Sequence, residues 1–84
     1  MNNAKRINEL RELVPAQEAH VVRMIEHGSG AGAVRAAQRI AMVFRAELAN
    51  LEAGGSWTTA DFNAALVAAR AAFPLGVGRT AVAS

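Results

Sequence analysis

From Ile7 to Phe73 apolar side chains recur at steps of three and four residues, and glycine clusters break the pattern twice. That spacing marks one face of an α-helix. The first periodic segment runs from about Asn3 to His27. It carries Ile7, Leu10, Val14, Val21 and Ile25, with Leu13 and Met24 beside them. Pro15 interrupts it, and an internal proline removes a backbone donor and crowds the preceding turn. Either one kinked helix spans residues 3–27, or two helices meet with Pro15 in the first turn of the second. The pattern favours a kink or break near Val14. Gly28 follows as a helix C-cap.

The second segment, 32–53, is the clearest. Val34, Ala37, Ala41, Phe44, Leu48 and Leu51 are spaced 3-4-3-4-3, a seam for packing against another helix, and Ile40 widens it. Gly54 and Gly55 stop it. The short link Gly28–Gly32 makes the first two helices antiparallel neighbours or sets them at an angle. A third helix is predicted over 58–73. Thr58 and Asp61 have the spacing of a capping box, and Trp57 with Phe62 that of a hydrophobic staple. Phe62, Ala65, Leu66, Ala69 and Phe73 form its expected buried stripe, and Pro74 and Gly76 end it. Residues 75–84 hold no helical period and are expected to be an extended tail, anchored through Leu75 and Val77. No alternating segment is long enough for a sheet. The expected fold is all-α: residues 1–74 as one small three- or four-helix bundle, with the extended C-terminal tail behind it.

Composition narrows the function more than the fold. At 52% apolar residues the chain is not a disordered tail. Eighty-four residues bury a thin core, and small domains often add a disulfide, a metal or a partner. Cysteine is absent, so disulfides and cysteine-based zinc sites are excluded, which leaves a partner chain. The termini carry no signal-peptide pattern and no apolar run spans a membrane, so a cytoplasmic protein with no membrane role is expected. Net charge is +2, but the pI is about 10.5, because eight of the nine basic residues are arginine. Arginine's planar fork suits carboxylates and phosphates.

Candidate chemistry is sparse. Gly28-Ser29-Gly30-Ala31-Gly32 leads into a helix followed by Arg35, so Gly30, Gly32 and Arg35 are a candidate anion site. The glycine spacing matches neither a dinucleotide fingerprint nor a P-loop. His20 and His27 are seven residues apart on the side of Glu9, too few ligands for a metal site. The serines and threonines have no histidine or acid at a recognisable catalytic spacing. No cofactor, metal or catalytic residue is expected, and the chain is not expected to be an enzyme.

What remains is binding. Arg35 and Arg39 are an i,i+4 pair of like charges, mildly unfavourable alone, which points to an anionic partner. Met42 lies on the same side. Val43 and Val67 lie off the apolar seams and, joined to Met42, would form an interface patch. The twenty alanines cover nearly every face of the third helix and would let a second chain approach closely, so self-association as a homodimer through that helix is expected over a monomer. The expected function is binding to a larger protein or nucleoprotein assembly, as inhibitor, adaptor or accessory subunit, through Arg35, Arg39, Met42, Val43, Val67, Arg70 and Arg79. Two alternatives stand beside it. One is direct nucleic-acid binding by the arginine face of the second helix. The other is binding of a small anionic ligand such as a nucleotide.

Overall fold

The computed structural model describes residues 3–75. It holds three helices: α1 (Ala4–Glu26), α2 (Ala31–Glu52) and α3 (Thr59–Ala72). The all-α helical expectation holds, with three helices rather than four. The expected tail falls outside the described residues apart from Leu75, and so does Arg79. Among the described residues, no helix is long and apolar enough to cross a membrane.

The two interhelical turns close by the same device. At the end of α1, Gly28 takes φ +73°, its N–H reaches the Ile25 carbonyl at 3.1 Å, and the Ser29 N–H reaches the Met24 carbonyl at 2.9 Å. At the end of α2, Gly54 takes φ +86°, donating to Leu51 at 3.0 Å while Gly55 donates to Asn50 at 2.9 Å. Both are Schellman closures, which need a residue without a Cβ at the left-handed position. The start of α3 carries the expected capping box. The Asp61 N–H donates to Thr58 Oγ1 at 3.2 Å, and the Thr58 N–H donates to Asp61 Oδ2 at 2.9 Å. These bonds hold the Asp61 carboxyl below its usual pKa, the backbone donor of Thr58 being the larger cause.

A single helix runs through Pro15, which overturns the two-helix reading of the first segment. Proline leaves the Arg11 carbonyl without its helical donor. Both residues are exposed, so water can satisfy that oxygen. Leu10, Val14 and Val21, on both sides of Pro15, bury on the opposite side of the helix. Their shared burial against α2 holds the two halves in one helix.

The helices lie side by side with α2 in the middle. Both α1 and α3 pack on α2, but no Cα of α1 comes within 8 Å of one in α3. The Cα trace of the described residues measures 48 × 29 × 13 Å, with a cross-section far from the near-square outline of a closed bundle. The sequence seam of α2 faces α1, where Ala37, Ala41 and Leu51 are buried. Its N-terminal half is pinned by Gln17, which donates to the Ala37 carbonyl at 3.1 Å. At the other end Arg6 grips Glu47 with two bonds of 2.8 and 2.9 Å. The bond to Glu47 pushes the Arg6 pKa up against the opposing effect of burial.

A middle helix needs a second seam, and the pattern of α2 conceals it. Val43, expected to face outward, is buried on the α3 side. On α3 only Ala69 is buried, whereas Phe62 keeps 41% of its surface exposed. The expected stripe of α3 is half covered because only one helix lies against it. Leu10 is the one large side chain wholly buried among the described residues.

Candidate interaction surface

A layer one helix deep has two broad faces. On α2 the stripe Arg35, Gln38, Met42 and Arg45, spaced 3-4-3, marks one of them. Around Met42 this face opens into an apolar cleft of about 380 Å³. Val21 of α1, Ala41 and Met42 of α2, and Ala72 and Phe73 at the end of α3 line it, so all three helices contribute. Glu18 and Arg45 form an ion pair across its α1 rim, and Gln38 adds a polar edge. Arg11 and Glu52 make a second ion pair along the same α1–α2 seam, at 3.0 Å. The opposite face holds two further grooves, one lined by Arg39, Ile40, Val43, Phe44, Phe62 and Leu66, the other by Val43, Phe44, Trp57 and Phe62 with the Arg6–Glu47 pair, Thr58 and Thr59.

The residues singled out in the sequence do not converge on one patch. Met42 lines the cleft. Val43 is withdrawn into the α2–α3 seam and is not available to a partner of this chain as folded. Val67 is the most exposed large apolar side chain, at 64%, and lies on the far side of α3. The Val43–Val67–Met42 patch therefore does not form, because the three residues belong to an interior seam, an outer edge and a cleft.

The arginine pair divides in the same way. Arg39 donates from Nε to the Phe73 carbonyl at 2.8 Å, closing the C-terminus of α3. Helix C-termini leave carbonyls without donors and concentrate partial negative charge. The unfavourable Arg35–Arg39 spacing thus meets a negative helix end within the chain. Arg35 is half-buried and makes no hydrogen bond or ion pair with the described residues. Arg70 sits in the last turn of α3, exposed. Of α2's arginines, Arg45 is held by Glu18 and Arg39 by Phe73, which leaves Arg35, one turn from Gln38 and two from Met42, without a partner among the described residues.

The glycine link places Gly30 as the N-cap of α2, with no side-chain cap and no acidic residue in the first turn. Arg35 lies more than one turn into the helix. The cleft residues Glu18, Val21, Gln38, Ala41, Arg45, Ala72 and Phe73 escaped sequence reasoning, because three helices must be in register before these side chains meet. The one available signal was the 3-4-3 stripe through Met42. No family model, curated protein or solved structure matches the chain.

Proposed function

We propose that this chain is a cytoplasmic, non-catalytic helical protein that binds a larger protein or nucleoprotein assembly, as inhibitor, adaptor or accessory subunit. The observation that carries this reading is the Met42 cleft. It is apolar at its floor and polar at its rim, as protein-binding pockets are. An aliphatic or aromatic side chain fits its floor. A carboxylate on the same partner meets Arg35, whose fork has no hydrogen-bond or ion-pair partner among the described residues. Direct nucleic-acid binding by α2 is less well supported, since Arg39 and Arg45 spend donors on Phe73 and Glu18.

The test is affinity capture from the source cell with wild type beside Met42→Glu and Arg35→Ala, with and without nuclease, followed by reconstitution from the purified partner. A stoichiometric protein that survives nuclease and is lost from Met42→Glu supports the reading. Recovery of nucleic acid alone, released by moderate salt, replaces it with the nucleic-acid alternative.

A further inference from the structure

The α3 wall of the Met42 cleft is built from the end of a helix. Ala72 and Phe73 are the residues α3 contributes to it. Ala72 is the last residue of α3, and Phe73 is its C-cap, with φ −131° and ψ 72° outside the helical range. Helix ends leave carbonyls without intrahelical donors and are the first turns to open. Pro74 follows and brings no N–H, so the backbone cannot close this end with the Schellman bonds used by α1 and α2.

Phe73 is tied at two points instead. Its N–H donates to the carbonyl of Ala69 at 2.9 Å, and Ala69 is wholly buried. Its own carbonyl accepts from Arg39 Nε at 2.8 Å. Fixing that oxygen restrains both backbone dihedrals of Phe73, and φ is the one that aims the ring. Arg39 lines the groove of the opposite face with Ile40, Phe62 and Leu66. It is not among the residues lining the Met42 cleft. Its stem therefore lies along the α2–α3 seam, and its head reaches the end of α3 from there. An occupant of the cleft touches Phe73 and meets Arg39 through it.

We infer that Arg39 is a positioning residue for the Met42 cleft: its bond to the Phe73 carbonyl holds the α3 wall, so the cleft is competent to bind only while the last turn of α3 is closed. The inference rests on the reading of the cleft as a binding site. It replaces the two-cation clamp expected from the Arg35–Arg39 spacing with a division of roles. Arg35 is left to meet an anion, and Arg39 acts through the backbone of its own chain. The coupling runs both ways: an occupant that needs the wall also protects the last turn of α3.

Anilinonaphthalene sulfonate is the probe, with a fused aromatic body for the apolar floor and one sulfonate for a cation. Its binding is followed by the amide NMR shifts of Val21, Ala41, Met42 and Ala72, which line the cleft. Met42→Glu is expected to abolish those shifts. Arg39→Ala is expected to raise Kd about tenfold, because a wall closed for roughly a tenth of the time leaves that fraction of the chain competent to bind. Arg39→Gln is expected to recover most of the affinity. Glutamine sets an amide donor the same number of bonds from Cα as arginine Nε, without the charge. Arg35→Gln is expected to bind more weakly, since it gives up the charge that meets the sulfonate. Arg6→Ala, which disturbs the far end of the α1–α2 seam, is expected to leave Kd unchanged. In the wild type the probe is expected to slow amide exchange at Phe73.

An Arg39→Ala chain that binds as wild type does overturns the inference and leaves the reading of the cleft standing. So does an Arg39→Gln chain that binds poorly while Arg35→Gln binds normally, which would make Arg39 a direct cation contact. A matching loss in Arg6→Ala would reduce the effect to global stability and overturn it too. Shifts that fall outside the cleft, or survive Met42→Glu, remove the cleft as a site and both readings with it. The comparison of the two glutamine variants does not depend on how well Arg39→Ala folds.

Discussion

Arg39 of α2 and Phe73 at the end of α3 are joined by one hydrogen bond, 2.8 Å from Nε to the carbonyl oxygen. Through it a side chain near the midpoint of the middle helix finishes the last helix, 34 residues away in sequence. The arginine replaces the glycine closure used at the ends of α1 and α2, since Phe73 is followed by Pro74 and cannot continue into a Schellman turn.

Removing that donor loosens one end of one helix. Arg39→Ala is expected to cost about 1.5–3 kcal/mol, the range for a hydrogen bond from a charged group. The loss is expected to concentrate in the last turn of α3. Amide hydrogen exchange at Phe73, which donates to Ala69 at 2.9 Å, is the direct readout. Uniform loss of protection along α3 would contradict the assignment.

The Arg6–Glu47 pair tests the other end. Glu47 is buried while Arg6 is part exposed, so Arg6→Ala strands a carboxylate with little water. A loss of about 2 kcal/mol is expected, short of the figure for a fully buried pair. The double variant Arg6→Met/Glu47→Leu is expected to recover most of it. Urea titration of the four members of the cycle measures the coupling.

Asp61 makes the start of α3 sensitive to acid. Its folded pKa lies below the ordinary value near 3.8 because Thr58 donates to the carboxylate from its backbone N–H and its hydroxyl. A depressed carboxylate contributes its stability in full above the unfolded value and loses it as pH falls through the folded one. Helicity is therefore expected to hold down to about pH 4 and decline below it. Asp61→Asn is expected to flatten that part of the profile, and Thr58→Ala to cost about 1 kcal/mol at neutral pH. Circular dichroism against pH for the three proteins checks both.

Pro15 offers the opposite sign. Its position lies within a continuous helix, exposed, with a donor missing. Pro15→Ala is expected to raise stability by roughly 1–3 kcal/mol, the interior helix penalty of proline relative to alanine. A chain destabilised by this substitution would mean that the proline shapes the packing of Leu10 and Val14 on α2.

Much of this architecture was legible in the sequence. Thr58 and Asp61 announced α3, Gly28 and Gly54 announced two stops, and the Val34–Leu51 spacing announced the α1–α2 seam. The second seam of α2 was hidden, because its members Arg39 and Val43, though four residues apart, mix a charge with one apolar side chain and so form no apolar stripe. Pro15 misled for a related reason: a local penalty was weighed without the burial of Leu10, Val14 and Val21 that opposes it. The Arg35–Arg39 repulsion was real, but the negative group nearest it was a helix end in the same chain. The Met42 cleft required the register of three helices, which periodicity within each helix does not contain.

The absence of any Cα approach between α1 and α3 has a kinetic meaning. Every close backbone approach between helices among the described residues joins sequence neighbours, so the backbone is laid out as two helical hairpins that share α2. Such a layout has low contact order, and local topologies fold fast. It also behaves as a short one-dimensional array, in which each helix answers only to the next. Damage to α3 is felt first by α2, and the α1–α2 hairpin can form first and serve as the template on which α3 completes the layer.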